Sequence, residues 1–178
     1  MKTKELVLIS VLTSLMAVIA PISIPLTGGV PISLGTFMVM LVAVIIKQSN
    51  AVVVVGLYIV LAFIGVPVLS GYASGASILF GMTGGYIFGY IPLAFITGLA
   101  AAYAQNKDKK IKYAIQFAGM IIGTIVLYAM GTWWFMKYTG MNLSASLAAC
   151  VLPFISGDLI KMVVVILVAP RIEKISYK

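Results

Sequence analysis

The chain has 178 residues, 62% of them apolar and only 9% charged, with a mean hydropathy of +1.17. Soluble domains are about 25% charged, so the composition excludes an ordinary soluble domain and predicts an all-α integral membrane protein, a single transmembrane domain over residues 1–178. The net charge of +8 comes without a basic run interleaved with aromatics, which argues against a nucleic acid partner; one cysteine, Cys150, and no histidine exclude an internal disulfide, a cysteine-based metal site and the commonest general base.

Residues 1–20 begin MKTKE and continue as an apolar run, the outline of a secretory signal. Glu5 and the lack of a small-x-small cleavage site favour a retained first membrane helix over residues 6–20. The next stretch, PISIPLTGGVPISLG, carries three prolines and three glycines in fifteen residues. It is apolar yet unable to form a regular helix. Such backbone is tolerated at membrane depth only where protein covers it or a cavity is lined.

A second helix is predicted over residues 36–46 and a third over 51–64, both short against the roughly 20 residues that span a bilayer. Residues 65–85 form a second Gly/Ser/Pro stretch without charge. A fourth helix is predicted over 82–104, then a polar linker over 105–112. The fifth covers 113–135, a loop spans 137–146, and the sixth covers 150–169, ended by Pro170.

Six helices place both termini on one side of the membrane. Ten basic residues (Lys2, Lys4, Lys47, Lys107, Lys109, Lys110, Lys112, Arg171, Lys174 and Lys178) fall on that side and Lys137 alone on the other. The bias predicts cytoplasmic termini in a cell membrane. The outer connections are then residues 21–35, 65–81 and 136–149.

Of the four carboxylates, Asp158 alone lies within a predicted membrane helix, three residues before Lys161 in the apolar stretch PFISGDLIKMVVVILVAP. That spacing puts both on one helix face. A charge at membrane depth is costly and by default marks a functional site; the alternative is an ion pair that only locks helix packing. Asp158 falls near the outer end, where the flexible loops converge, which is the geometry of an outward pocket that loops fold over.

Other motifs carry two readings. Gly81, Gly85 and Gly89 suit close helix packing, or Thr83–Tyr86 brings backbone groups and the Tyr86 hydroxyl to a ligand. Ser10 with Ser14, and Thr13 with Ala17, are small-xxx-small pairs, for internal packing or for docking a membrane partner. Trp133, Trp134, Phe135 and Tyr138 suit an interfacial belt or a stacking wall, and Asn142-Leu143-Ser144 matches a glycosylation acceptor. No GxxxxGK[ST] loop, Ser/His/Asp set, HExxH motif or carboxylate pair is present. ATP binding by a phosphate loop is therefore not expected, and neither is an enzyme.

The stretches GLYIVLAFIGVPVLSGYASG, GMTGGYIFGY and PFISGDLIK resemble the signatures of the BioY biotin-uptake family, and IPLTGGVPISLGT resembles its first outer loop. Departures stand at Gly35, Tyr72 and Met82. The resemblance implies a six-helix substrate-binding S component of a prokaryotic energy-coupling factor (ECF) transporter. Its partners are biotin, a transmembrane coupling protein, two ATPase subunits and the lipid bilayer; no cofactor or metal is implied. It also implies that Asp158 accepts from a ureido N–H and that Lys161 donates nearby or orients Asp158. Backbone around Gly71, Ala73 and Ser74 would take the biotin carboxylate, and Tyr86, Tyr90 and Phe154 would cover the ring and chain. Thr36 is a further expected contact, and Ser10, Thr13, Ser14 and Ala17 are the expected docking set. The alternatives are an S component for another vitamin, such as thiamine or riboflavin, and a small channel or structural membrane protein.

Overall fold

The computed structural model describes residues 3–24 and 30–176, with side chains through 172. Residues 25–29 of the first predicted outer loop and the side chains of Lys2, Lys174 and Lys178 lie outside the described residues. Those described form eight α-helices and a two-stranded ribbon. They are α1 (Thr3–Ile19), β1 (Ser23–Ile24), β2 (Ile32–Ser33), α2 (Gly35–Ile45), α3 (Gln48–Phe63), α4 (Ala76–Leu79), α5 (Gly84–Ala104), α6 (Lys109–Thr139), α7 (Leu143–Cys150) and α8 (Leu152–Ser176). Three of them, Gly84–Ala104, Lys109–Thr139 and Leu152–Ile172, are long and apolar enough to cross a membrane; Gly35–Ile45 and Gln48–Phe63 are shorter apolar helices.

Among the boundaries that differ from the sequence reading, four have a clear local reason. The polar linker contributes a turn to α6, because Asp108 adopts an extended N-cap conformation and Lys109 starts the helix there. A carboxylate at that end also suits the helix dipole. α6 then runs past Phe135 to Thr139 and closes on Gly140, whose φ of 74° is a left-handed C-cap; its N–H donates to the Met136 carbonyl at 2.9 Å. The predicted third outer loop holds α7, because Asn142 caps it: its Oδ1 accepts from the Ala145 N–H at 2.9 Å. The Asn-Leu-Ser triplet is thus a helix start. Pro170 does not end α8, which continues to Ser176. A proline removes one N–H and crowds the carbonyl four residues back, here Ile166, and a long membrane helix tolerates one such defect.

β1 and β2 pair antiparallel, Ser23 with Ser33 and Ile24 with Ile32, so part of the first predicted irregular loop is a tight ribbon. The second loop is pinned to it: the Gly71 N–H donates to the Pro21 carbonyl at 2.9 Å. α1 leads into the ribbon and α8 starts beside it, so the start of α1 and the end of α8 lie at the other end of the bundle. There Lys47 meets Glu5 at 3.0 Å, with side-chain exposures of 68% and 26%. So exposed a pair contributes under about 1 kcal/mol. Lys47→Ala is expected to leave the thermal midpoint within about 2–4 °C of the parent, by circular dichroism.

α5 packs along α6 through glycines. A Cβ at Gly85 would overlap the Trp134 side chain and one at Gly89 would press on Leu127. The Trp134 indole N–H donates to the Gly81 carbonyl at 2.9 Å. Gly85 and Gly89 therefore form a packing seam, while Gly81, Thr83 and Tyr86 line a cavity. The aromatic cluster divides: Trp133 and Tyr138 are exposed, Phe135 is buried, and Trp134 is spent on α5.

Candidate functional site

Thr36 sits in the first turn of α2, Tyr86 and Tyr90 in the first two turns of α5, Tyr128 on α6, and Phe154, Asp158 and Lys161 in the first turns of α8. All face one cavity of about 430 Å³ at the ribbon end of the bundle, walled also by Val30, Pro31 and Ser33 beside β2 and by Leu69, Ser70 and Ala73. The volume lies within the roughly 300–1,000 Å³ of small-molecule sites.

The polar centre is Asp158, 2% exposed. Its Oδ1 accepts from Lys161 Nζ at 2.8 Å and from the Thr36 hydroxyl at 2.9 Å. Lys161 Nζ also donates to Thr36 Oγ1 at 3.0 Å, which closes a triangle. Oδ2 accepts from the Tyr128 hydroxyl at 2.6 Å. A carboxylate offers about four acceptor positions; three are filled, leaving one on Oδ2. An ammonium has about three donors; two of the Lys161 donors are used within the triangle. The site thus holds a compensated ion pair with one acceptor and one donor to spare. It is suited to a neutral ligand group that presents an N–H beside a carbonyl.

Glycines make the aromatic wall possible. A Cβ on Gly131 would overlap the Tyr86 ring, and one on Gly35 would overlap the Tyr90 hydroxyl. The Tyr86 hydroxyl lies 3.1 Å from Thr132 Oγ1 and donates to the Cys150 carbonyl at 3.4 Å, so its ring is held from both sides. Tyr58 donates to the Val68 carbonyl at 2.8 Å and fixes the floor below the second loop.

Of the residues expected from sequence, Thr36, Ala73, Tyr86, Tyr90, Phe154, Asp158 and Lys161 line this cavity; Gly71 and Ser74 do not. The Gly71 N–H donates to the Pro21 carbonyl beside the ribbon, and its φ of 68° is left-handed. The proposed docking residues also separate. Ser10 and Ser14 are exposed, with hydroxyls turned back to the Leu6 and Ser10 carbonyls. Thr13 is buried and bonded to the Ile9 carbonyl, and Ala17 packs against the core.

The family model for BioY matches residues 1–178. The chain belongs to the BioY family. The biotin transporter BioY of Thermotoga maritima is 36% identical over 172 residues, 97% of each chain. That of Rhodobacter capsulatus is 35% identical over 160 residues, 85% of this chain and 83% of the relative. A crystal structure at 2.1 Å, described as the S-component for biotin from an ECF-type ABC transporter, superposes with a TM-score of 0.85 at 25% identity, covering 98% of this chain and 95% of that one.

Within this BioY chain, Tyr128 is a hydrogen-bonding member of the candidate site that the sequence reading did not single out. Its hydroxyl donates to a charged oxygen, a bond worth about 1.5–3 kcal/mol. Tyr128→Phe is expected to weaken ligand binding roughly tenfold or more while leaving the helical content unchanged. Calorimetry beside circular dichroism reads both, and undiminished affinity would remove Tyr128 from the site.

Proposed function

We propose that this chain is the biotin-capturing S component of an ECF-type transporter in a prokaryotic cell membrane. The observation that carries the reading is the one buried carboxylate of the cavity, with a single free acceptor position beside the free donor of Lys161. A ureido ring presents an N–H and a carbonyl side by side. The N–H donates to Asp158 Oδ2 and Lys161 donates to the carbonyl. Tyr86, Tyr90 and Phe154 bury the fused rings and the chain, and Ala73 closes the wall near the second loop. Family membership, the names of the relatives and the matched S-component support biotin as the ligand.

The remaining architecture follows from that role. α1, α2, α3, α5, α6 and α8 supply six crossings, with both termini cytoplasmic by the excess of basic residues at their end. ATP is hydrolysed by two partner ATPases through a coupling protein, since the chain contains no phosphate loop. Docking falls to the exposed Ser10–Ser14 face of α1, where small side chains permit close approach; Thr13 and Ala17 serve internal packing.

The test is a calorimetric titration of the detergent-solubilised chain, stripped of co-purified ligand. Saturable one-to-one biotin binding, resistant to excess thiamine and riboflavin, is the expected result. A folded sample that gives no heat with biotin would sink the reading.

A further inference from the structure

The cavity has a charged pole and an uncharged one. Asp158, Lys161, Thr36 and Tyr128 make the first. Tyr90 marks its level, because the Tyr90 hydroxyl abuts Gly35, the neighbour of Thr36. Thr83, at the N-cap of α5, stands seven residues before Tyr90, ~10 Å along the helix. On α6, Tyr138 stands ten residues beyond Tyr128, ~15 Å along that helix. Thr83 and Tyr138 line the same cavity, with Ser77 of α4.

This second pole carries no cation. Apart from Asp158 and Lys161, every polar side chain among the described residues lining the cavity bears a hydroxyl or a thiol. Lys161 is held by Asp158 at 2.8 Å. The outer segments 21–35 and 65–85 contain no charged residue, and Lys137, in the third, is exposed and outside the lining. Ser70 adds a further hydroxyl to the wall: its Oγ is buried and meets no hydrogen-bonding partner among the described residues.

A hydroxyl both donates and accepts, so it bonds a carboxylate oxygen, an ester carbonyl or either end of an amide. A fixed cation would prefer the carboxylate, because charge-assisted bonds are the stronger ones. Hydroxyls also bond a carboxylate more strongly than an amide. A carboxylate is, however, the costlier group to take out of water, and without a cation beside it that cost offsets the stronger bonds.

We propose that, given biotin capture, the site reads the cyclic urea and leaves the charge of the acid tail unread. Uncharged derivatives of the acid, its primary amide and its methyl ester, are then ligands as well. Specificity resides in Asp158 and Lys161, and the hydroxyl pole accepts any short polar tail.

Calorimetric titration of the detergent-solubilised chain, stripped of co-purified ligand, compares the three compounds. Their affinities are expected to agree within about tenfold. A preference for the acid above about tenfold would overturn the proposal and leave biotin capture standing. An acid that gives no heat would remove biotin capture, and the tolerance with it. Ser70→Ala deletes a hydroxyl that has no described protein partner, so the helical content is expected to be unchanged. The ratio of acid to amide affinity is also expected to stay as in the parent. A change in that ratio above about tenfold would mean that Ser70 reads the tail charge, and would equally overturn the proposal.

Discussion

Asp158→Asn is expected to weaken biotin binding by at least about a hundredfold, read by calorimetry on the detergent-solubilised protein. The carboxylate is the hub of the site: Lys161, Thr36 and Tyr128 all donate to it. An amide keeps one oxygen and turns two donors toward partners that are themselves donors. Lys161, with a side chain 11% exposed, loses its counter-charge. Breaking one side of a buried pair costs about 3–5 kcal/mol, or roughly two to three and a half orders of magnitude if expressed in affinity. The variant should still reach the membrane, because the apolar faces that pack the bundle are untouched. Binding within tenfold of the parent would mean that ligand is held elsewhere, and that Asp158 and Lys161 serve packing alone.

Gly131→Ala acts through shape without altering a polar group. The added Cβ overlaps three atoms of the Tyr86 ring. Moving the ring disturbs the contacts of its hydroxyl with Thr132 and with the Cys150 carbonyl. Overpacking of this kind costs about 1–3 kcal/mol. Tyr86 must swing into the cavity or the α5–α6 seam must part. Either path is expected to weaken biotin binding roughly ten- to hundredfold and lower the thermal midpoint by several degrees. The paired control is Gly131→Ala with Tyr86→Ala, in which the collision is absent. Recovery of the midpoint there, with affinity still low, identifies the collision; a midpoint equally depressed in both assigns the effect to α6 itself.

What could be read in advance was what depends on cost. A lone carboxylate in an apolar helix is conspicuous because burying it is expensive, so Asp158 and its neighbour Lys161 stood out in the sequence, and both line the cavity. The helical bundle announced itself through composition in the same way. Tyr128 did not, since a tyrosine in an aromatic-rich membrane helix is unremarkable until two helices are placed in register across thirty residues. Gly131 was silent for the same reason: its role is defined by Tyr86, on another helix. The bond from Gly71 to Pro21 spans two loops that only the fold brings together, so it could not be read from the sequence. α7 and the continuation through Pro170 are local effects, in which a cap or a long helix outweighed residues that ordinarily interrupt one.

The Asp158–Lys161 pair has an electrical consequence. Moving one elementary charge across the membrane potential takes about 2.3 kcal/mol per 100 mV. A solitary carboxylate in the cavity would make every excursion of that cavity along the membrane normal work with or against the field. Because the two side chains cancel at 2.8 Å, the empty cavity couples to the field only as a small dipole. Voltage then acts at the cavity mainly on whatever charge a ligand brings to it.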